Sequence, residues 1–284
     1  MAGTDAPPTR GAVDLHVHTN ASDGEYSPAD VVQQALRMGL STVAITDHDT
    51  VGGVGEALAA ASGTSLEVIP GVEISTDVRE TEVHILGYFI AVTDANLHHQ
   101  LQLFKDSRSV RARQIVARLS RLGLSLDFRR VQEMANGGSV GRPHIAGAMV
   151  ERGYVSSIRE AFDRYIGQNR PAYVPRHKIH PAQAIAIIRA AGGVPVLAHP
   201  RLLTTRVRYL AANGLAGLEA YYTGYGQEET SSLLSLAQQH QLLATGGSDF
   251  HGEHVKPESL LGGVDMPLEV VAALRAYHEK IVSS

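Results

Sequence analysis

Within "DLHVHTNASDG", His16 and His18 stand one residue apart at the end of an apolar stretch, and Asp23 and Gly24 follow shortly after. Val13, Leu15 and Val17 alternate with Asp14, His16 and His18, which is the two-residue period of a strand. Both imidazoles therefore leave the strand on one face. Two imidazoles held so close repel when protonated and gain little by packing together. They are well placed to share one metal ion.

Other strand-like stretches end in the same way. Asp47 and His48 close "STVAITDHD" (41–49), and Glu73 comes near the end of "LEVIPGVEIS" (66–75). His84 lies within "EVHILGYFI" (82–90), and His199 closes "GVPVLAHP" (193–200). Glu219 falls in "GLAGLEAYY" (214–222), while Asp249 and His251 close "LLATGGSDFHG" (242–252). A lone histidine on an apolar face is ordinarily a core residue with a satisfied hydrogen bond. Repetition at seven strands instead points to one site at the carboxyl ends of a parallel sheet.

Those strands must be held by helices, and the amphipathic segments 27–39, 180–192 and 228–241 fall between them. Ser27 followed by Pro28 marks a helix start and Gly39 a stop. Strand–helix alternation predicts an α/β protein with a mostly parallel sheet, open or closed into a barrel. Between 91 and 180 the alternation breaks, and the pattern predicts helices over 97–122, about 127–135, 143–152 and 157–167. The expected organisation is a barrel built from 11–90 and 181–284, with 91–180 as a helical insertion capping the site.

Composition narrows the chemistry. With 284 residues, 44% of them hydrophobic, the chain can bury a large core, and its net charge of −4 offers no overall basic field for nucleic acid. The absence of cysteine excludes disulfides, thiolate catalysis, iron–sulfur clusters and Cys-type zinc sites. Fourteen histidines in such a chain favour imidazole–carboxylate metal sites. No signal-peptide layout or membrane-length apolar run is present, so a cytoplasmic enzyme without a membrane or obligate protein partner is expected.

In order along the chain, "DLHVHTNASDG", "ITDHDT", "PGVEIS", "HILGY", "AHP" and "GSDFHG" resemble the motifs of the PHP (polymerase and histidinol phosphatase) superfamily. The resemblance implies a distorted seven-stranded β/α barrel of PHP type with an inserted helical subdomain. It also implies two or three divalent ions. Carried over by position, His16, His18, Glu73 and Asp249 would hold the first ion, and Asp23, His48 and His251 another. Glu73 would bridge to a third held by His84 and His199. In some relatives a histidine stands at the position of Asp23. Mn²⁺ is the first expectation for such a ligand set, with Fe²⁺ or Zn²⁺ as alternatives. Asp23, His48, Glu73, Asp249 and His251 then carry the catalytic expectation, through a metal-activated water. Ser22 and Ser248 lack a G-x-S-x-G elbow, so a covalent serine intermediate is not expected. Asp14, Asp47 and Glu219 are expected either to orient ligand imidazoles or to serve ordinary strand-end hydrogen bonding.

"GRPH" (141–144) and the helical insertion further resemble stand-alone bacterial members acting on nucleotides. That resemblance implies removal of the 3′-phosphate from nucleoside 3′,5′-bisphosphates, or trimming of RNA 5′ ends. Arg108 and Arg111 interrupt the apolar face formed by Leu97, Leu101, Phe104, Ile115, Leu119 and Leu122. Arginines on a buried stripe need a carboxylate or phosphate partner. Arg142 and His144 flank Pro143 at an expected helix start, while Arg170, Tyr173, Arg176, His177 and Lys178 form a polar loop. Arg108, Arg111, Arg142, His144, Arg170 and His177 are therefore the expected substrate-binding residues. Histidinol phosphatase, amidohydrolase and non-catalytic metal-binding readings rank behind.

Overall fold

The computed structural model describes residues 12–78, 81–135, 140–175, 179–201 and 203–283, apart from the side chain of Lys105. Seven strands lie side by side in chain order: β1 (Val13–Val17), β2 (Thr42–Ile45), β3 (Glu67–Val78), β4 (Thr81–Tyr88), β5 (Val194–Leu197), β6 (Gly217–Tyr222) and β7 (Leu243–Gly247). Beyond β7, the Phe250 carbonyl accepts from the His18 amide at 2.9 Å, and the Phe250 amide donates to the His16 carbonyl at 3.3 Å. These bonds bring the last strand back to the first and nearly close a barrel.

The strands β1–β2–β3 and β5–β6–β7 are parallel, whereas β4 runs antiparallel to both neighbours. Val78 pairs with Thr81, and a connection that short joins only antiparallel strands. The reversal matters for the site. His84 lies in the first half of β4 and pairs with Ser75 of β3, so it sits at the barrel end where the parallel strands finish.

Helices α1 (Pro28–Arg37) and α2 (Val54–Ala61) cover the first strands. Ser27 caps α1 by accepting from the Asp30 amide at 3.1 Å, and Val31, Val32 and Ala35 are buried. The helical block contains α3 (Ala95–Arg121), α4 (Phe128–Met134), α5 (Arg142–Glu151), α6 (Ile158–Ala161) and a π-helical turn (Phe162–Ile166). Then follow α7 (Pro181–Ala190), α8 (Val207–Ala212), α9 (Gln227–Gln239) and α10 (Glu269–Val282). No helix among the described residues is long and apolar enough to cross a membrane.

The long α3 belongs to two cores. Leu97 and Leu101 pack into the cluster that lies against the strands, while Ala112, Ile115, Val116 and Leu119 join a second cluster with α4 and α5. Leu122, expected on the same apolar face, is exposed beyond the helix end. The middle of α3 passes over the barrel mouth between the two clusters, and Arg108 and Arg111 lie there.

Candidate metal centre

All five residues of β1 are buried, so the alternation in this strand separates apolar packing from buried polar groups rather than core from solvent. His16 and His18 are fully buried, with Nε2 atoms 3.1 Å apart. Glu73 Oε2 lies 3.3 Å from His16 Nε2 and 3.1 Å from His18 Nε2. Asp249 Oδ1 lies 3.5 Å and 3.3 Å from the same two nitrogens. Ligands about 2.1 Å from a common ion stand roughly 3.0–3.4 Å apart, so each carboxylate oxygen is spaced from the two imidazoles much as ligands of one ion are, and His16, His18 and Asp249 form one such group.

A second group combines Asp23, His48 and His251 with His18. Asp23 Oδ1 is 3.5 Å from His251 Nε2 and 3.9 Å from His18 Nδ1. The other oxygen of Glu73 faces a third group, with Oε1 2.9 Å from His84 Nδ1 and 3.3 Å from His199 Nε2. His48 stands between the second and third groups, its Nδ1 3.1 Å from Glu73 Oε2. All nine expected metal ligands are thus brought together.

The buried atoms fit divalent ions on their own geometry. His18 Nδ1, Asp23 Oδ1 and Glu73 Oε2 are buried yet make no hydrogen bond among the described residues. Buried polar atoms normally find hydrogen-bond partners. Here they approach other donors closely without the alignment of hydrogen bonds, as lone pairs converging on a shared cation would.

The charge balance agrees. Burial opposes the charged form of Glu73, but His48, His84 and His16 hold its carboxyl well below the usual range. Burial likewise opposes ionisation of Asp23 and Asp249, and the surrounding imidazoles overcome it. In the metal-free site, carboxylates outweigh burial at His18 and His84, pushing them up to about 9 and about 10. Burial wins at His48, which is held down to about 3.

Supporting groups fix these ligands. Glu219 is fully buried and accepts from His16 Nδ1 at 3.0 Å and from the His199 amide at 2.7 Å. Asp14 and Asp47 do otherwise. Asp14 binds Ser248 and the Gly262 amide, and Asp47 binds Thr19 and Ser22. Among the described residues neither side chain hydrogen-bonds a ligand imidazole, so they organise loops at the strand ends. Ser22 and Ser248 are correspondingly buried and engaged. At Gly24 a Cβ would come 2.6 Å from the His18 carbonyl oxygen, which leaves no room for another residue. His199 and Asp249 adopt left-handed backbone, φ 29° and 57°, a strain of about 1–3 kcal/mol each of the kind that clusters at functional sites.

Two residues beside the centre were not legible as site residues. Asp249 Oδ2 accepts from Tyr222 Oη at 2.7 Å and from Lys256 Nζ at 2.6 Å. Tyr222 reads in the sequence as the end of an apolar strand, and Lys256 follows β7 in a segment with no periodicity.

A cleft opens from the cluster toward the helical block. Asp23, His48, Ser75 and His84 line one side, and Arg108, Arg111 and Arg142 the other, with Ile115, Ile145 and Phe162 as its apolar wall. Arg108 pairs with buried Asp49 at 2.6 Å and donates to Ser75 Oγ at 2.7 Å. Arg111 donates to the Val174 carbonyl at 2.8 Å, and Arg142 meets Glu82 at 3.3 Å and stacks over Phe162. His144 does not line the cleft. Its Nδ1 accepts from the Gly141 amide at 3.0 Å, closing the start of α5, while the half-buried ring stays near enough to Asp23 and Arg108 to feel both charges. Arg170 is exposed outside the cleft, and Arg176, His177 and Lys178 lie outside the described residues. Phe162, carried in by the π-helical turn, supplies the cleft's aromatic surface.

The PHP domain pattern matches residues 14–165. The chain belongs to the PHP family. It is 37% identical over 247 residues to the 5′-3′ exoribonuclease Rnm of Escherichia coli, covering 84% of each chain. It is 32% identical over 247 residues to the 3′,5′-nucleoside bisphosphate phosphatase of Chromobacterium violaceum, again covering 84% of this chain and 87% of the other. Among solved structures, a Bifidobacterium adolescentis protein assigned as a metal-dependent phosphoesterase matches with a TM-score of 0.86 at 32% identity, covering 95% of this chain and 97% of that one. This PHP protein is a metal-dependent hydrolase of phosphate esters.

Proposed function

We propose that this PHP phosphoesterase removes the 3′-phosphate of nucleoside 3′,5′-bisphosphates, with Mn²⁺ as the metal. The observation that carries the reading is the cleft, where three guanidiniums stand across from the candidate metal ligands. A substrate with one phosphate at the cluster and another among the arginines satisfies both ends. Asp23, His48, Glu73, Asp249 and His251 are the proposed catalytic set, His16, His18, His84 and His199 the further ligands.

When bound, divalent ions lower the pKa of a water and neutralise phosphoryl oxygens. The protein's part is positional. Glu219 fixes His16, Gly24 lets the Asp23 loop close on His18, and Arg108 is braced by Asp49 within reach of the cleft. Arg111 and Arg142 are proposed to grip the 5′-phosphate, and the apolar wall around Phe162 to hold the base. The proposed cap comprises 91–180.

A second reading, 5′→3′ exoribonuclease, is favoured by the 37% identity to Rnm. It uses the same polarity, with a 5′-phosphate in the cap and the next phosphoryl group at the cluster. Incubation of metal-loaded enzyme with adenosine 3′,5′-bisphosphate, a 5′-phosphorylated oligoribonucleotide and histidinol phosphate separates the readings. Release of 5′-AMP and phosphate from the bisphosphate as the dominant reaction is expected. Efficient mononucleotide release from the oligomer with a slow bisphosphate reaction would transfer the assignment to RNA.

A further inference from the structure

A second cavity lies behind Tyr222, which touches the candidate ligands Asp249 and His199. It is lined by Tyr221, Tyr222 and Tyr225 from β6 and the loop after it, by Gln227 and Thr230 at the start of α9, and by the segment beyond β7. The arginine cleft draws its barrel residues from β3, β4 and the loops after β1 and β2, whereas this cavity begins at β6. The Tyr222 hydroxyl donates to Asp249 while its ring stands 5.5 Å from that of His199 and 5.0 Å from that of Tyr225.

We infer that this tyrosine groove receives the nucleoside attached through O5′ to the phosphoryl group under attack. The inference rests on the nucleotide reading above and extends it to diesters. Tyrosine faces suit stacking on any base. Gln227, Thr223 and Thr230 offer hydrogen-bonding groups, whereas Glu258 and Asp265 make the cavity unwelcoming to a further phosphate. A neutral nucleoside fits this chemistry better than a second anionic group does. In a 5′-phosphorylated dinucleotide, the 5′-terminal nucleotide occupies the arginine cleft and the second nucleoside the groove. Water adds to the bridging phosphorus, the bond from phosphorus to O3′ of the first nucleotide breaks, and that O3′ takes up a proton from the water. The products are a 5′-mononucleotide and a shortened 5′-phosphorylated nucleoside. With a bisphosphate the groove stays empty.

The test compares wild type, Tyr225→Ala and Tyr225→Trp on 5′-phosphorylated adenylyl-adenosine and on adenosine 3′,5′-bisphosphate, with thermal unfolding to verify folding. Loss of one stacking ring is expected to lower the dinucleotide-to-bisphosphate ratio of kcat/KM about tenfold, and Tyr225→Trp to keep it. Calorimetric binding of the dinucleotide should weaken by a similar factor in Tyr225→Ala. An unchanged ratio and unchanged binding would overturn the groove while leaving bisphosphate hydrolysis intact. If wild type hydrolyses neither compound, the nucleotide reading fails, and the calorimetric comparison still decides the groove.

Discussion

Glu219 accepts a hydrogen bond from Nδ1 of His16 at 3.0 Å, in a place where both side chains are fully buried. The bond holds a proton on Nδ1 and turns Nε2, the atom a metal would take, toward His18, Glu73 and Asp249. A carboxylate behind a ligand imidazole fixes its tautomer and raises its basicity. Glu219→Gln should therefore weaken metal binding about 10–100-fold with little change of fold, measured by chelator competition. Undiminished affinity would reduce Glu219 to a packing residue.

Arg108 and Arg111 lie three residues apart on α3, yet the structure gives them different work. Arg108 neutralises Asp49, whose side chain is wholly buried, so Arg108→Met should cost about 3–5 kcal/mol of stability. Thermal or urea unfolding checks this.

Arg142 is partly exposed, and its contact with Glu82 is long. Arg142→Ala should leave stability near that of wild type while raising KM for the bisphosphate roughly tenfold, the worth of a charge-assisted hydrogen bond. Steady-state kinetics beside an unfolding curve separates this from the Arg108 effect.

Metal uptake should release protons and tighten with rising pH. In the metal-free site His18 titrates near 9 and His84 near 10, so both carry protons at neutral pH that a metal must displace. Because these values exceed the ordinary 6.5, their contribution to metal-free stability is fully present below about pH 6.5 and is lost toward pH 10. Depressed Asp23, Glu73 and Asp249 contribute stability above the ordinary carboxylate range that is lost in acid. Calorimetry in buffers of differing ionisation enthalpy reads the proton release, and pH-dependent unfolding reads the rest.

Much of the centre was legible because period-two alternation put apolar residues and ligands in separate registers along strands such as β1. The reversal of β4 was not, since "EVHILGYFI" has the same composition in either direction and only the short connection before it dictates antiparallel pairing. Lys256 stands in the aperiodic segment after β7, and Tyr222 is brought toward Asp249 by the pairing of β6 with β7, so no local pattern marks either. His144 shows how one side chain can answer two readings. A polar ring at a helix start suits a ligand and a cap equally; here Nδ1 closes the start of α5 while the ring stays near Asp23 and Arg108.

Metal stoichiometry, measured together with hydrolysis of adenosine 3′,5′-bisphosphate, tests the metal-dependent mechanism most directly. Elemental analysis of Mn²⁺-reconstituted enzyme should find two or three ions per chain, activity should vanish on chelation, and Mn²⁺ should restore it. Full activity in protein stripped of metal, or reconstituted protein that holds no ion at the His16–Glu73–Asp249 cluster, would contradict it.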